Sequence, residues 1–517
     1  MPVERLQRSL WWIKRDVRLD DNPALQAALA RSGQVLPTYI LEPSLWRAPD
    51  ASAMQLFAVL QALAGLQQRL MHRGSQLMLM QGECLAALEQ LHRLYPFEAI
   101  FACEETGNNL TYLRDLSLAR WCRARGIALI ELPQCAVVRA IHRDKRGPIV
   151  QERLWGSAPL EAPARIASPP VIIHPLNQAP GLNHGPQRQG WLRLCPSAPQ
   201  VQWRHLQEVS EAAGQACLTD FLQQRSAFYR GGISSPNRAF TAGSRLSPHI
   251  AWGTLSLRRI FHSTAARMDE LEAEGTKQAQ AWRLGLEGFS HRLYWRDHFM
   301  QRLELEPNME YAPLNAAYNA LRYSNDPNLL ARWLDGRTGF PLLDACMRCL
   351  AARGFVNFRM RAMLVNVACF ALHLDWRLLQ YPLAQRFLDY EPGIHFSQLQ
   401  MQAGIVGINQ MRVYNPTKQL IEQDPHCQFV KRWLPELRRF HPADIAAGLP
   451  LGDYPPPCVD AALHVAQMKA QITAIRRSPE AQVTTPEVLA KHGSRLRRAK
   501  AGKPKPQEVE RQLLLPF

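Results

Sequence analysis

The sequence predicts an α/β domain with a doubly wound parallel sheet at the N-terminus, joined by a long proline-rich linker to a large all-α domain. Short apolar runs alternate with helical segments over residues 1–135, which is typical of strands connected by crossover helices. Residues 206–477 instead have helical patterning and few β-branched runs. At 517 residues, the chain is also too long for one ordinary domain.

Five apolar runs of the first domain are predicted to be strands. They are residues 10–13, 34–40, 76–80, 99–103 and 128–132. Amphipathic helices, such as residues 53–70, lie between these runs. Parallel strands need crossover connections of this kind, so the order of elements favours a parallel sheet.

Ten prolines fall between residues 148 and 199, a density that blocks helices and sheet interiors. Residues 136–205 are therefore predicted to be a linker that wraps between the domains. In the second domain, residues 250–260 and 289–300 are predicted to be helical. The short apolar run at 363–374 is predicted to be a buried core helix.

The net charge is strongly positive, since 61 Lys and Arg residues against 44 Asp and Glu residues give +17. This bias indicates a polyanionic partner, with nucleic acid first and an anionic membrane surface second. A generally basic surface is the alternative. The polar, basic residues 478–517 are predicted to be a disordered tail. No apolar run is long enough to span a membrane, and no signal peptide is expected.

Eleven cysteines are scattered along the chain, which argues for reduced thiols and a cytoplasmic location rather than a disulfide framework. Cys346 and Cys349 have the spacing of half a metal cluster, but no second close pair accompanies them. Two thiols packed on one helix are the preferred interpretation, so no metal site is predicted.

Four segments, taken in order, resemble the signature of the DNA photolyase/cryptochrome family. They are WIKRDVRLDDNPAL at 12–25, SRLSPH at 244–249, GRTGFPLLDACMR at 336–348, and YNP at 414–416 followed by WLPEL at 433–437. The resemblance implies FAD in the helical domain. It also implies room for a second, antenna chromophore of unknown identity in the N-terminal domain.

The same resemblance implies which residues hold FAD. Hydroxyl groups and free backbone N–H groups before a helix, together with Arg245, offer a site for the pyrophosphate. Arg361 and Asp389 resemble the family's ion pair beside the isoalloxazine, and each offsets the other's desolvation. The full set of cofactor residues is Tyr229, Thr241, Ser244, Arg245, Leu246, Ser247, Arg296, Phe358, Arg361, Asp389, Glu391 and His395.

The residues that would meet a substrate depart from the family pattern. Arg292 stands where photolyases that split cyclobutane dimers have an acidic residue, and Phe358 stands where they have asparagine. An arginine can only donate hydrogen bonds, so it cannot replace the acid unchanged. Gly243 stands where a threonine is expected in the phosphate segment, and His395 takes the position that faces flavin N5.

The family's electron relay is also altered. Trp333 and Trp376 match two of its three tryptophans, but the position nearest the flavin is Leu399, which cannot be oxidised as an indole can. A detour through Tyr390, Phe396 or Tyr414 is left open, as is a purely structural role for the two tryptophans. The candidate catalytic residues are Arg292, Trp295, His395, Trp333 and Trp376.

The resemblance implies a blue-light-driven DNA photolyase, a lyase that repairs UV-induced pyrimidine dimers by electron transfer from reduced flavin. The alternative is a cryptochrome-type photoreceptor that binds FAD without repair. The expected partner is UV-damaged DNA, and the chain is expected to be a monomer. The last six residues, QLLLPF at 512–517, resemble the peptide that binds the bacterial sliding clamp.

Overall fold

The computed structural model describes residues 5–139, 141, 143–169, 190, 192–195, 201–408 and 410–493. Its N-terminal part contains a five-stranded parallel sheet in the order β3-β2-β1-β4-β5. The strands are β1 (Leu6–Ile13), β2 (Ser32–Leu41), β3 (Met78–Gln81), β4 (Ala99–Cys103) and β5 (Ala128–Leu132). Each of the five predicted runs overlaps one of these strands, and the predicted fold class is confirmed.

Strand β1 is central and is buried on both faces. Trp11 packs into the core under helix Ala53–Met71, and Trp12 packs into the separate core under helix Cys84–Leu94. Successive side chains of a strand point to opposite faces, so these two adjacent indoles anchor helices on both sides of the sheet. The α-helices of this part are Pro23–Arg31, Pro43–Trp46, Ala53–Met71, Cys84–Leu94, Asn109–Arg125 and Arg143–Trp155.

The second part is built from helices. Its α-helices are Glu211–Gln223, Tyr229–Gly232, Ala239–Ala242, Ser247–Ala251, Leu257–Glu274, Lys277–Leu305, Pro327–Asp335, Pro341–Arg353, Phe358–Phe370, Trp376–Arg386, Pro392–Gln402, Pro416–Gln423, Gln428–Trp433, Pro442–Ala447, Ala461–Arg477 and Pro479–His492. Short 3₁₀ helices occupy Trp203–His205, Arg225–Phe228, Pro307–Glu310, Ala316–Ala320 and Pro435–Leu437. The largest core cluster lies here, around the almost fully buried helix Phe358–Phe370.

The predicted linker contains a helix, Arg143–Trp155, with Pro148 inside it. The prediction that proline excludes helices from this segment is wrong. A proline inside a helix removes one backbone donor and crowds the preceding turn, and tertiary packing at the end of this helix offsets that cost. Leu154 is buried in the same cluster as Phe261, and the Trp155 ring lies 5.5 Å from the Phe261 ring.

The predicted disordered tail also begins with a helix, Pro479–His492. Its Thr484 hydroxyl donates to Asn315 at 2.7 Å, and His492 bonds to Glu306 at 3.1 Å. These contacts with the helical core explain why polar composition alone misjudged the segment. The clamp-like residues 512–517 lie outside the described residues.

The predicted helix over residues 250–260 is interrupted. Helix Ser247–Ala251 ends early, and Leu257–Glu274 begins after a turn at Gly253, whose φ is +71°. A Cβ on Gly253 would lie 2.0 Å from the Arg15 carbonyl oxygen. The break therefore lets the loop after β1 approach the helical domain closely.

Ion pairs join the two domains beside this turn. Asp20 accepts from Arg259 at 2.7 and 2.9 Å, and Asp21 pairs with Arg258. Glu211 accepts from the backbone N–H groups of Leu19 and Asp20 at 3.0 and 2.8 Å. The loop after β1 is thus fixed against the helical domain.

Within the described ranges, no helix is long and apolar enough to cross a bilayer. All eleven cysteines lie in this part of the chain, and none of them forms a disulfide. The same residues contain no cluster of His, Cys, Asp or Glu that could hold a metal ion. Cys346 and Cys349 are both fully buried, and burial raises both thiol pKa values.

Candidate functional site

A cavity of about 350 Å³ lies in the helical domain, and its walls are mainly apolar. This volume lies within the range of small-molecule and cofactor sites, roughly 300–1,000 Å³. Twelve of the predicted site residues line it: Tyr229, Ser244, Arg245, Ser247, Arg292, Trp295, Arg296, Phe358, Arg361, Asp389, Glu391 and His395. Positions spread over more than 160 residues of sequence therefore converge on one cavity.

Four predicted residues do not line the cavity. Thr241 is exposed, and its hydroxyl donates to the Arg238 carbonyl at 3.1 Å. Leu246 is fully buried in a neighbouring core cluster. Trp333 and Trp376 belong to the main helical core, and the Trp333 indole donates to the Leu364 carbonyl at 3.2 Å. These four side chains make packing or local turn contacts, and the relay role of Trp333 and Trp376 stays a prediction.

The segment around Arg245 presents a guanidinium to the cavity. Arg245 has a φ of +60°, and its carbonyl accepts from Gln207 at 2.7 Å, which fixes this left-handed turn. Its guanidinium carbon lies 3.6 Å from the Phe355 ring centre. Burial lowers the Arg245 pKa to about 10, and its Nη1 bonds to no described residue. A buried cationic donor with an unused N–H group suits an anionic ligand.

Arg361 and Asp389 form a two-pronged ion pair in the cavity wall. The two guanidinium nitrogens donate to the two carboxylate oxygens at 3.0 and 2.9 Å. Arg361 Nε donates to the Val356 carbonyl at 2.8 Å, and the guanidinium lies 4.4 Å from the Phe387 ring centre. The predicted pair is therefore present, with its side chains held in one orientation.

Glu391 is the second buried carboxylate of the wall. It accepts from Arg296 at 3.0 Å and from Arg15 of the N-terminal domain at 3.2 Å. Burial raises the Glu391 pKa, although the two arginines oppose this effect. Arg296 also donates to Asp297 at 2.7 Å. One wall of the cavity is thus held by both domains.

His395 bonds through Nε2 to the Gln380 carbonyl at 2.8 Å. A carbonyl can only accept, so the proton is on Nε2 and Nδ1 carries a lone pair. Burial lowers the His395 pKa to about 4, which keeps the ring neutral near pH 7. The imidazole is therefore a fixed acceptor at Nδ1.

Arg292 lies against Tyr229, donating to its hydroxyl at 3.0 Å. Trp295, one helical turn further on, stacks on Phe299 with ring centres 5.7 Å apart. Arg292, Trp295 and Phe358 all keep part of their surface accessible. This side of the cavity thus combines cationic and aromatic groups.

Sequence reasoning missed several wall residues. Arg359 lines the cavity with an Nε that bonds to no described residue, and it donates to Gln419 at 3.1 Å. Asn357 donates to the Ile233 and Ser234 carbonyls, both at 2.9 Å. The spacing of Arg359 and Arg361 in one short run was the available signal for Arg359. No local signal marks Asn357.

The wall chemistry fits FAD. Arg245, Ser244 and Ser247 supply donors for an anionic pyrophosphate. The Arg361–Asp389 pair and the Glu391 carboxylate supply both donors and acceptors for a polar ring edge. The apolar remainder of the wall suits a large aromatic ring system. Arg245 Nη1 and Arg359 Nε, which bond to no described residue, are donors available to a bound ligand.

A second cavity, of about 100 Å³, lies at the carboxyl ends of β1 and β4. In open α/β sheets ligands bind at this position, where the strand order reverses. Buried charges surround it: Arg114 pairs with Glu42 at 3.0 Å and with Glu105 at 2.7 Å. Burial raises the Glu42 pKa to about 7.

Comparison with known proteins gives the same assignment. Residues 9–148 match the family described as DNA photolyase, and residues 289–474 match the FAD binding domain of DNA photolyase. A deoxyribodipyrimidine photo-lyase of Thermus thermophilus is 30% identical over 442 residues, covering 84% of this chain and 94% of its own.

Two solved structures have the same fold. A class III photolyase from Agrobacterium tumefaciens has a TM-score of 0.75 at 24% identity and covers 92% of this chain and 99% of its own. A cryptochrome from Synechocystis sp. PCC6803 has a TM-score of 0.76 at 21% identity and covers 90% and 99%. The chain therefore belongs to the DNA photolyase/cryptochrome family, and its helical domain is an FAD-binding domain.

Proposed function

We propose that this protein is a light-driven DNA photolyase that acts on UV-induced pyrimidine dimers. The carrying observation is the partly exposed side of the FAD cavity, where Arg292, Trp295, Phe358 and Arg359 combine cationic and aromatic groups. Flipped bases are held by stacking on aromatic side chains and by hydrogen bonds to their edges, and phosphates are held by arginine.

The protein's part is to bind and orient the cofactor and the lesion, and to exclude water from them. Bound reduced FAD supplies the electron that splits a dimer under light. Arg245, with Ser244 and Ser247, would hold the cofactor's phosphates, and the Arg361–Asp389 pair would fix its ring edge. Trp295 would stack on the lesion, and Arg292 would donate to a lesion carbonyl or a neighbouring phosphate.

The net charge of +17 supports a nucleic-acid partner. The relative from Thermus thermophilus, which spans most of this chain, is named as a photolyase. A cryptochrome-type photoreceptor is the second candidate, because Arg292 and Leu399 depart from the repair pattern. A photoreceptor that repairs nothing would not need to bind damaged DNA more tightly than intact DNA at this side of the cavity.

The test is illumination of the reduced protein with single- and double-stranded DNA that carries cyclobutane or 6-4 lesions. Restored thymine absorbance on either lesion supports repair. The variant Trp295→Ala should lose turnover, whereas Trp203→Ala, which changes an exposed indole outside the cavity, should not. Absence of turnover on every substrate would favour the photoreceptor.

A further inference from the structure

Tyr390 lies in the wall between the two cavities, because it is a lining residue of both. It is 4% exposed, so solvent has almost no access to it. Its ring packs edge-on against His395, with ring centres 5.3 Å apart. An oxidisable side chain therefore lies directly at the FAD cavity, where Leu399 offers none.

The Tyr390 hydroxyl has a carboxylate partner in the other domain. It donates to Asp50 Oδ2 at 2.8 Å, and the Asn108 amide donates to the same oxygen at 2.7 Å. Asp50 is 4% exposed. Both of these donors are neutral groups, so the Tyr390 phenol lies directly on a carboxylate oxygen that can accept its proton. Burial raises the Tyr390 pKa well above its ordinary value, which keeps the phenol protonated at neutral pH.

Proton acceptance is what makes a buried tyrosine oxidisable. A phenol that loses an electron becomes a very strong acid, and an uncompensated buried cation is costly in a low-dielectric interior. A carboxylate already hydrogen-bonded to the phenol removes this cost, because the proton moves along an existing hydrogen bond. The Tyr390–Asp50 pair has this arrangement.

Among the described residues, no carboxylate is seen to accept from the other oxidisable side chains that line the FAD cavity, Tyr229 and Trp295. The Tyr229 hydroxyl accepts from Arg292, so a cation rather than a base faces that phenol. Trp295 packs against His298 and Phe299, with ring centres 5.2 and 5.7 Å away. Trp333 and Trp376 lie in the helical core and do not line the cavity.

We propose that Tyr390 is a redox-active residue that gives one electron to light-excited, oxidised flavin and its phenolic proton to Asp50. The O–H bond of Tyr390 breaks and an O–H bond forms on Asp50 Oδ2. Tyr390 ends as a neutral radical, Asp50 ends as a carboxylic acid, and the flavin gains one electron, so atoms and charge balance. The inference rests on the light chemistry of the proposed function but not on repair.

The chain offers a matched control. Tyr454 is also buried and also donates to a buried carboxylate, Asp344. Tyr454 lines neither cavity, so it does not lie beside the flavin. A variant at Tyr454 therefore shows the general effect of losing a buried tyrosine hydroxyl without the loss of a redox-active residue. The variants Tyr390→Phe, Asp50→Asn and Tyr454→Phe therefore form a complete set.

The experiment uses the full chain with oxidised FAD bound, under anaerobic blue light and without an added electron donor. Electron paramagnetic resonance follows the radical, and flavin absorbance follows reduction. Wild type should give a tyrosyl signal. Tyr390→Phe should abolish it and slow reduction at least tenfold, Asp50→Asn should lower its yield, and Tyr454→Phe should leave both unchanged. An unchanged signal and rate in Tyr390→Phe would overturn the proposal.

A measurement on wild type guards against variants that fail to fold or to keep FAD. Ring-deuterated tyrosine should narrow the radical spectrum, and an unaltered spectrum would assign the radical elsewhere and overturn the proposal. Repair with chemically reduced FAD is assayed separately. A radical on Tyr390 without repair refutes the proposed function alone, and repair without that radical refutes the redox role alone.

Discussion

The substitution Asp389→Asn removes one partner of the buried ion pair in the cavity wall. The Asp389 side chain is 3% exposed and accepts both hydrogen bonds from Arg361, whose side chain is 22% exposed. Asparagine keeps the shape but leaves the guanidinium charge unpaired. Breaking a buried pair in this way costs roughly 3–5 kcal/mol, and the partial exposure of Arg361 places the cost at about 3 kcal/mol.

The loss should be visible in a melting experiment. At about 2 °C per kcal/mol for a domain of this size, the midpoint should fall by about 6 °C. The flavin absorbance that co-purifies with the protein should fall as well, since we propose that the same pair fixes the ring edge of FAD. Differential scanning fluorimetry and the flavin-to-protein absorbance ratio measure the two effects.

An exposed pair provides the control. Glu270 pairs with Arg267 at 2.7 Å, and the Glu270 side chain is 63% exposed. Glu270→Gln should change stability by less than about 0.5 kcal/mol, because exposed pairs contribute little. If Asp389→Asn has the same melting midpoint as Glu270→Gln and retains its flavin, the assigned role of the buried pair is wrong.

Three further predictions concern pH, salt and the tail. The folded protein favours the neutral form of His395, whose pKa is about 4 there against an ordinary 6.5. The contribution of His395 to the stability of the fold is therefore complete above pH 6.5 and is lost as the pH falls through 4. His395→Gln should remove this pH-dependent loss of unfolding free energy, which is at most about 3 kcal/mol and less where cavity water reaches the ring. The melting midpoint of the variant should therefore change less with pH between 6.5 and 4 than that of wild type, and a profile identical to wild type would contradict this. DNA affinity should fall by about 10³-fold or more between 50 and 200 mM salt in a binding titration, and a flat response would rule out a dominant phosphate contribution. Deletion of residues 510–517 should abolish recovery in a sliding-clamp pulldown, and equal recovery would refute the clamp peptide.

The sequence predicts most of the sheet because the relevant signals are local. The apolar runs at 99–103 and 128–132 coincide with β4 and β5, and the run at 53–70 coincides closely with helix Ala53–Met71. Each run is bounded by a change of hydrophobic period. Local pattern therefore fixes these elements without any knowledge of the tertiary fold.

Elements decided by distant contacts could not be predicted in this way. The helix expected over 250–260 breaks at Gly253, whose φ is +71°, and the Arg15 carbonyl, far away in sequence, occupies the space that a Cβ there would need. Helix Arg143–Trp155 tolerates Pro148 because Leu154 is buried in the core cluster that contains Phe261. Composition carries no information about either neighbour.

The cofactor site shows the same division. Arg361 and Asp389 were identified from the family motif, and the structure pairs them directly. Thr241, two residues before Gly243, is predicted to hold the cofactor, yet its hydroxyl bonds to the local Arg238 carbonyl. The partners Tyr390 and Asp50 are 340 residues apart, in different domains, so only the folded chain joins them.

Removal and restoration of FAD tests the central claim most directly. The full chain, stripped of FAD and then reloaded and reduced, should restore thymine absorbance in dimer-containing DNA under blue light only when FAD is bound. The rate should be zero in the dark and should follow the absorption spectrum of the bound cofactor. Repair that persists without FAD, or that never appears with FAD fully bound and reduced, would contradict the assignment of this cavity as a light-driven repair site.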